Sequence, residues 1–388
     1  MARHAANEPL PGAPEPWAPS EMPAFRGRPP YVMSEMIAAE PALSERLLHR
    51  LASDNVLDRL AALVRETAAA NGPILTTGCG TSEHAGMGVA ALITEALRLP
   101  AGHEIRSIPA LDAVARPLAG GLLIAVSHEG GTQVTNDALR AARDAGARTA
   151  LISVGDGSPG AAIAEVVVRT GEQDQSWCHT VGYLSPILVG VALASRLAGR
   201  PVDVLGIRAL LDVTNDPHAA ASAASALAES DRLIVTGANA DYISARELAL
   251  KVTEGTRMPA MALELETVMH GYLAAATRWT GLVLLVTQPG PPDGPIHSRT
   301  MRLLSAAASL GVPTAAIVSD ELASSVRAVD TPAGRIVLPH TRRVSGVAGC
   351  LLGSALALQL LAERLARARG VNPDTLGRED PVQATAHS

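Results

Sequence analysis

Three residues in one short stretch, ELALKVTEG at 247–255, have the types and spacing for proton chemistry: Glu247, Lys251 and Glu254. The chain has 32 basic residues, of which Lys251 is the single lysine and all others are arginine. On a helix these three side chains share a face, while Ala245, Leu248, Ala249 and Val252 form the apolar one. Gly255 is expected to end that helix, which puts Glu254 in the last turn, where the negative end of the helix dipole opposes a carboxylate. That setting suits a general base. The same spacing also fits an ordinary solvated Glu–Lys pair, the reading that composition alone favours.

Two other stretches could hold a ligand. GCGTS at 78–82 and SHEGGT at 127–132 each follow an apolar run and precede a helical pattern. Their glycines let the backbone come close to a bound group. Thr81, Ser82, Ser127 and Thr132 would bring hydroxyls beside a positive helix end, as an anion or polyol site requires. Taken singly, each hydroxyl reads as a helix cap. Two such loops on neighbouring strands of one sheet read as a ligand site. Cys79, Gly80, His128 and Glu129 lie within the same loops. His84, His128 and His179 are expected on loops, with Cys79, Cys178 and Glu129 nearby in sequence. No H-x-x-x-H or C-x-x-C spacing joins them, so they read as polar lining, with no metal and no organic cofactor.

The elements that must position these residues follow from composition. With 388 residues, two domains are expected. Hydrophobic residues make up 47% of the chain but aromatics only 2%, so the cores must be aliphatic, most simply helices packed on strands. PILTTGCGTSEHAGMGVAALITEALR reads as strand, loop and helix, and the unit recurs along the chain. Short apolar strands alternating with helices predict parallel sheets covered on both faces. The pattern then repeats as a whole: ILTTG (74–78) finds LIVTG (233–237), GLLIAVSHEGG (121–131) finds GLVLLVTQPG (281–290), GARTALISV (146–154) finds GVPTAAIVS (311–319), and VVVRT (166–170) finds IVLPH (336–340). A duplicated α/β domain is expected. Only the first copy has GCGTSEHAG and SHEGGT, and only the second has ELALKVTEG.

A net charge of −6 without a basic cluster argues against nucleic acid. Three scattered cysteines suit a reducing cytoplasm, and the N-terminus has no signal-peptide core. The stretch CLLGSALALQLLA (350–362) reads as a buried helix too short to span a bilayer, so no membrane partner is expected.

Together EPALSERLL, GCGTSEHAG, SHEGGTQVT, DQSWCHTVGY, ELALKVTEG, the HG at 270–271 and GVNPDTLGRED make residues 32–380 resemble the SIS (sugar isomerase) family. The likeness is to the isomerase half of glucosamine-6-phosphate synthase and related amino-sugar phosphate isomerase/deaminases. The resemblance implies two tandem SIS domains, each a parallel sheet with helices on both faces. The expected layout is a disordered tail (1–30), a helical lead-in plus first SIS domain (31–205), a second SIS domain (210–370) and a C-terminal tail closing the active site (371–388). It implies a sugar-phosphate loop with Cys79, Gly80, Thr81 and Ser82, and a second phosphate loop with Ser127, His128, Glu129 and Thr132. Trp177, His179, Glu247 and Arg378 would line the substrate. Glu254 matches the base that moves a proton between C1 and C2 through an enediol, Lys251 and Glu247 precede it on the same helix, and His270 matches a ring-opening histidine that often comes from the partner subunit. A cytoplasmic homodimer with shared active sites is implied, taking a sugar or amino sugar and most closely glucosamine-6-phosphate.

The sequence departs from that family in four ways. No glutaminase domain precedes the pair, and Met1-Ala2-Arg3 offers no cysteine nucleophile. Arg378 stands where the synthase has its Schiff-base lysine, and a guanidinium cannot form that imine. Val181 replaces a lysine. Glu129 replaces a serine of the phosphate loop, so that Glu129 turns away, His128 offsets it, or the substrate lacks a 6-phosphate. The readings carried forward are a Glu-dependent aldose–ketose isomerase or deaminase, an isomerase or deglycase of an unphosphorylated amino sugar or sugar amine, and a non-catalytic sugar sensor.

Overall fold

The structure, a computed structural model, describes residues 6–11, 26–100, 102–288, 294–339, 343–344 and 346–386. The chain divides into two compact units. The first comprises Met1–Pro23, Ala39–Asp174 and Val181–Arg208; the second comprises Ala24–Ala38, Gln175–Thr180 and Ala209–Ser388.

Along the first half run α1 (Val32–Ala52), α2 (Asn55–Ala69), β1 (Ile74–Gly78), α3 (Thr81–Leu97), β2 (Arg106–Pro109), α4 (Ala110–Ala115), β3 (Leu122–Val126), α5 (Gln133–Asp144), β4 (Arg148–Ser153), β5 (Val166–Arg169) and α6 (Val181–Ala198). Its five strands pair in parallel in the order β2-β1-β3-β4-β5. The second half contains α7 (Val204–Thr214), α8 (Pro217–Leu227), β6 (Arg232–Gly237), α9 (Ala240–Thr256), β7 (Ala260–Glu264), α10 (Leu265–Met269), β8 (Thr280–Val286), α11 (Pro295–Ser309), β9 (Thr314–Ser319), β10 (Gly334–Leu338), α12 (Gly346–Ala368) and α13 (Pro381–Ala386). Its sheet is again parallel, in the order β7-β6-β8-β9-β10. Each strand of the second sheet occupies the place of its counterpart in the first, so the repeat read from the sequence is a repeat of topology.

The inner strands β3, β8 and β9 are buried along their whole length, as helices on both faces of a parallel sheet require. The edge strands β2 and β7 are extra to the four per copy expected from the sequence. Both are short and partly exposed, and β2, RSIP, has no continuous apolar run to mark it.

The turn from first strand to first helix is built alike in both copies. A Cβ on Gly78 would fall 2.7 Å from the Ser82 carbonyl carbon, and one on Gly237 would fall 2.8 Å from that of Asp241. Gly80 precedes α3 at φ 55°, ψ −126°, and Asn239 precedes α9 at φ 55°, ψ −124°. That backbone region favours glycine, so the second copy keeps the turn at a steric cost.

Four expectations change. Gly255 does not end α9, which runs through Thr256 with the left-handed Arg257 (φ 57°) as its cap. Residues 24–38 and 175–180 belong with the second unit rather than the first. Residues 1–5 and 12–25 of the expected tail lie outside the described residues, whereas Leu10 is buried, with its N–H donating to Glu172 Oε2 at 2.9 Å. Finally, α12 is 23 residues long, and it and α6 are long and apolar enough to cross a membrane, but 78% and 72% of their apolar windows are buried in the protein.

Candidate active site

Helix α9 lies between two parallel strands, β6 and β7, and so runs antiparallel to them. Its C-terminal end sits at the amino edge of the second sheet. The helix is buried on almost all sides, and the face carrying the charges is no exception: Glu247 and Lys251 are both 0% exposed. The solvated-pair reading therefore fails. Lys251 Nζ donates to Glu254 Oε2 at 2.5 Å and lies 3.7 Å from Glu247 Oε1. The Glu254 side chain is 25% exposed, so of the three it alone can meet a small molecule from solvent.

Burial by itself would lower the Lys251 pKa, but Glu254, Cys178 and Glu247 more than offset it and hold it above the ordinary lysine value. The residue is thus a fixed ammonium between two carboxylates, not an amine nucleophile. Lys251, wholly enclosed, meets Glu254 and not solvent.

Two further segments of the second unit close around this helix end. Cys178 Sγ lies 3.8 Å from the Lys251 carbonyl oxygen and 3.9 Å from Glu254 Oε2. A Cβ on Gly255 would stand 3.3 Å from Pro373 Cβ and 3.5 Å from Cys178 Sγ, which explains a glycine inside the helix better than a stop does. The Thr180 carbonyl accepts from Gln359 Nε2 of α12 at 3.1 Å, and the Trp177 N–H donates to the Asp374 carbonyl at 3.2 Å. Asp374 is fully buried, and its carboxylate accepts the N–H groups of Val32 (2.7 Å) and Met33 (2.8 Å). Arg378 stacks on Trp177 with its guanidinium carbon 3.6 Å from the ring centroid.

His179 belongs to the same group. Burial first, and then the charge of Lys251, lower its pKa to about 3, with Glu247 opposing and Arg378 assisting. It is therefore a neutral imidazole at physiological pH, able to donate one hydrogen bond and accept another. The second unit thus brings together Trp177, His179, Glu247, Lys251, Glu254 and Arg378. Cys178, Asp374 and Gly255, which sequence reasoning did not assign to the site, support them.

The remaining predicted residues lie elsewhere. In the first unit, Cys79 is exposed and its Sγ is 3.6 Å from Thr135 Oγ1, Gly80 precedes α3, Thr81 begins it, and Ser82 is half-buried. Ser127 is buried and its hydroxyl donates to Thr132 Oγ1 at 3.4 Å. His128 Nε2 accepts the backbone N–H of Asp174 at 2.9 Å, the arrangement of a neutral imidazole protonated on Nδ1, so it does not offset a neighbouring negative charge. Gln173 Nε2 donates to Glu129 Oε1 at 3.2 Å. His84 is on α3 rather than on a loop, and His179 is in the second unit rather than the first. Among the described residues, no three His, Cys, Asp or Glu side chains are grouped to hold a metal ion. His270 follows α10 on an exposed surface, its Nε2 2.8 Å from Glu266 Oε1, and Arg299 Nε pairs with Glu266 Oε2 at 2.7 Å. Among the described residues it makes no hydrogen bond or ion pair with the Glu254 group.

No protein-family profile matches the chain. A glutamine–fructose-6-phosphate aminotransferase (isomerizing) of Symbiobacterium thermophilum is 29% identical over 384 residues, a span of 92% of this chain and 59% of that protein. The solved C-terminal domain of glucosamine-fructose-6-phosphate aminotransferase from Francisella tularensis superposes with a TM-score of 0.74 at 18% identity, covering 90% of this chain and 99% of that one. The chain has the two-domain SIS fold. Its fold is shared equally by the tagatose-6-phosphate ketose/aldose isomerase of Escherichia coli, with a TM-score of 0.69, 18% identity and coverage of 89% and 95%. The chain thus spans less than two thirds of the aminotransferase to which its sequence is similar, and nearly all of the C-terminal domain whose fold it shares.

Proposed function

We propose that this protein interconverts an aldose and a ketose, acting on a sugar or amino sugar through Glu254. The observation that carries the reading is a partly exposed carboxylate, hydrogen-bonded at 2.5 Å by a lysine that is itself wholly enclosed. Such a carboxylate is held in one place, accessible on one side, and free of any need to move on binding. In the forward direction Glu254 takes the proton from C2 of the open-chain aldose while O1 gains a proton, giving the enediol. O2 then loses its proton and C1 receives the one that Glu254 holds. Atoms and electrons balance without an oxidant.

With Arg378 in place of the Schiff-base lysine and Lys251 held as an ammonium, an imine to the ketose has no partner in the second unit's site. The chemistry left is isomerisation, with loss of ammonia or an amine where the sugar carries one at C1 or C2. The resemblance to the SIS isomerases and the ketose/aldose isomerase among the structural neighbours support this reading. The hydroxyl-bearing loops of the first unit are proposed as substrate-binding elements, and Lys251 as a positioning residue.

His270, exposed and orientated by Glu266, is proposed as the ring-opening histidine of a second copy of the chain. The test is complementation with the interconversion of glucosamine, fructose and their 6-phosphates followed by NMR. His270→Ala and Glu254→Gln are each expected to abolish turnover as separate homodimers. Remixed after mild dissociation, they should recover roughly a quarter of wild-type activity, because half of the dimers become mixed and each mixed dimer keeps one intact site. No recovery from the mixture, or full activity of His270→Ala alone, contradicts the shared site. Sugar binding with no turnover in wild type contradicts catalysis itself.

A further inference from the structure

Helix α10, LETVM, is short but firmly placed. Leu265 and Val268, three residues apart, are buried in the core of the second sheet. The Glu264 carboxylate accepts the N–H groups of Glu266 (2.8 Å) and Thr267 (3.3 Å), and the His270 N–H donates to the Thr267 carbonyl at 3.2 Å. That anchoring leaves Glu266 and His270, at i and i+4, together on the outer face. Glu266 is held a second time from outside the helix. Arg299 of α11 pairs with its Oε2 at 2.7 Å, while its Oε1 lies 2.8 Å from His270 Nε2. The hydrogen bond with His270 outweighs burial and, with the charges of Arg299, His270 and Arg302, holds the Glu266 carboxyl below the ordinary glutamate value. An ionised carboxylate has no hydrogen to give, so the hydrogen in this contact belongs to Nε2, and in the neutral imidazole Nδ1 is the basic nitrogen. Among the described residues no other hydrogen bond or ion pair engages the ring, and the His270 side chain is 73% exposed.

We propose that Glu266 is a positioning residue for ring opening: it fixes the Nε2–H tautomer of His270 and presents Nδ1 as the nitrogen that takes the proton. The inference rests on the reading of His270 as the ring-opening histidine and adds the nitrogen that acts and the group that holds it. Nδ1 removes the proton from O1 of the cyclic sugar, and the C1–O5 bond breaks as C1=O1 forms. The electron pair left on O5 then receives that proton from Nδ1, so nothing is oxidised or reduced. A carboxylate behind an imidazole sets its tautomer and orientation without touching the substrate. Arg299 engages the other carboxylate oxygen, so Glu266 cannot turn from the ring without giving up an ion pair.

Exchange between the α and β anomers of glucosamine and of glucosamine-6-phosphate, followed by proton NMR with the full chain carrying Glu254→Gln, reads ring opening apart from isomerisation. Glu254→Gln alone should accelerate the exchange of at least one of the two sugars, and adding His270→Ala should abolish the acceleration. Adding Glu266→Gln or Glu266→Leu should reduce it by about tenfold or more, and adding Arg299→Leu by a smaller factor. Nitrogen NMR of the neutral imidazole should show Nε2 protonated and Nδ1 bare in wild type, and a mixture of both tautomers in Glu266→Leu. Undiminished acceleration in both Glu266 variants, with His270→Ala still inactive, overturns the role of Glu266 and leaves that of His270 standing. Acceleration that survives His270→Ala, or none by Glu254→Gln, removes the His270 reading and the proposal with it. A wild-type ring protonated on Nδ1 overturns the proposal by itself.

Discussion

Glu254→Gln should lower kcat by roughly 10²–10⁴-fold while changing sugar affinity little. Glutamine keeps the shape and can still accept a hydrogen bond from Lys251 Nζ, now 2.5 Å from Glu254 Oε2, so the site should stay folded. What the substitution removes is the only basic lone pair on the partly exposed side of the triad. Because Lys251 and Glu247 are wholly enclosed, neither can reach a substrate to take over. Glu254→Asp should fall between wild type and Gln, since the base survives but is withdrawn by a methylene from both the lysine and the solvent-facing side. An isomerase whose kcat is unmoved by Glu254→Gln would have its base elsewhere, and His179, neutral and beside Lys251, would be the next residue to test.

Lys251→Met should be among the most destabilising substitutions in the protein, by about 3–5 kcal/mol. Methionine matches the length of the lysine stem but leaves Glu247, fully buried, without the ammonium 3.7 Å away, and takes the hydrogen-bond donor from Glu254. Removing one partner of a buried ionic group costs far more than never having built it, because the remaining charge stays out of water. For a unit of this size the loss corresponds to a Tm lower by roughly 10 °C. The triple variant Glu247→Gln, Lys251→Met, Glu254→Gln should recover most of that loss while remaining inactive, which separates the stability role of the triad from the catalytic one. Thermal denaturation of the single and triple variants decides it; a Lys251→Met protein with wild-type Tm would mean that the triad is hydrated and not enclosed.

The duplication was legible because parallel strands buried on both faces read as apolar runs, and the same four runs occur twice in the same order. Strand β2 escaped because an edge strand has no need of such a run. The charged triad was legible as a face of a helix but not as a buried one: i, i+3 and i+4 spacing is identical for a solvated stripe and an enclosed network, and only the packing of residues 175–180 and 373 against α9 distinguishes them. The same packing explains Gly255, whose apparent role as a helix stop came from its position alone. Lys251 was the stronger clue. A chain that writes every other cation as arginine keeps one lysine, and it stands enclosed between two carboxylates. For His270 the resemblance implies a role, and the structure places it on an exposed surface beside Glu266, away from the Glu254 group.

The two copies have kept one topology and differ in their loops. The first retains the hydroxyl-bearing loops with Glu129, and the second retains the helix with Glu254. At the strand–helix turn the second copy has replaced Gly80 by Asn239 and Ser82 by Asp241. Both oxygens of Asp241 are taken by Thr287, with its N–H at 2.9 Å and its hydroxyl at 2.5 Å, and Cys350 Sγ lies 3.1 Å from Oδ1. The equivalent loop there is consequently bound to its own protein.

The central claim is that one proton moves between C1 and C2 by way of Glu254. The direct measurement is proton NMR of the sugar after turnover in deuterium oxide. Wild type is expected to place deuterium at C1 of the ketose or C2 of the aldose, because a carboxylate that is 25% exposed exchanges its proton with solvent while holding the enediol, and Glu254→Gln is expected to place none. Equal deuterium incorporation by wild type and Glu254→Gln would contradict it.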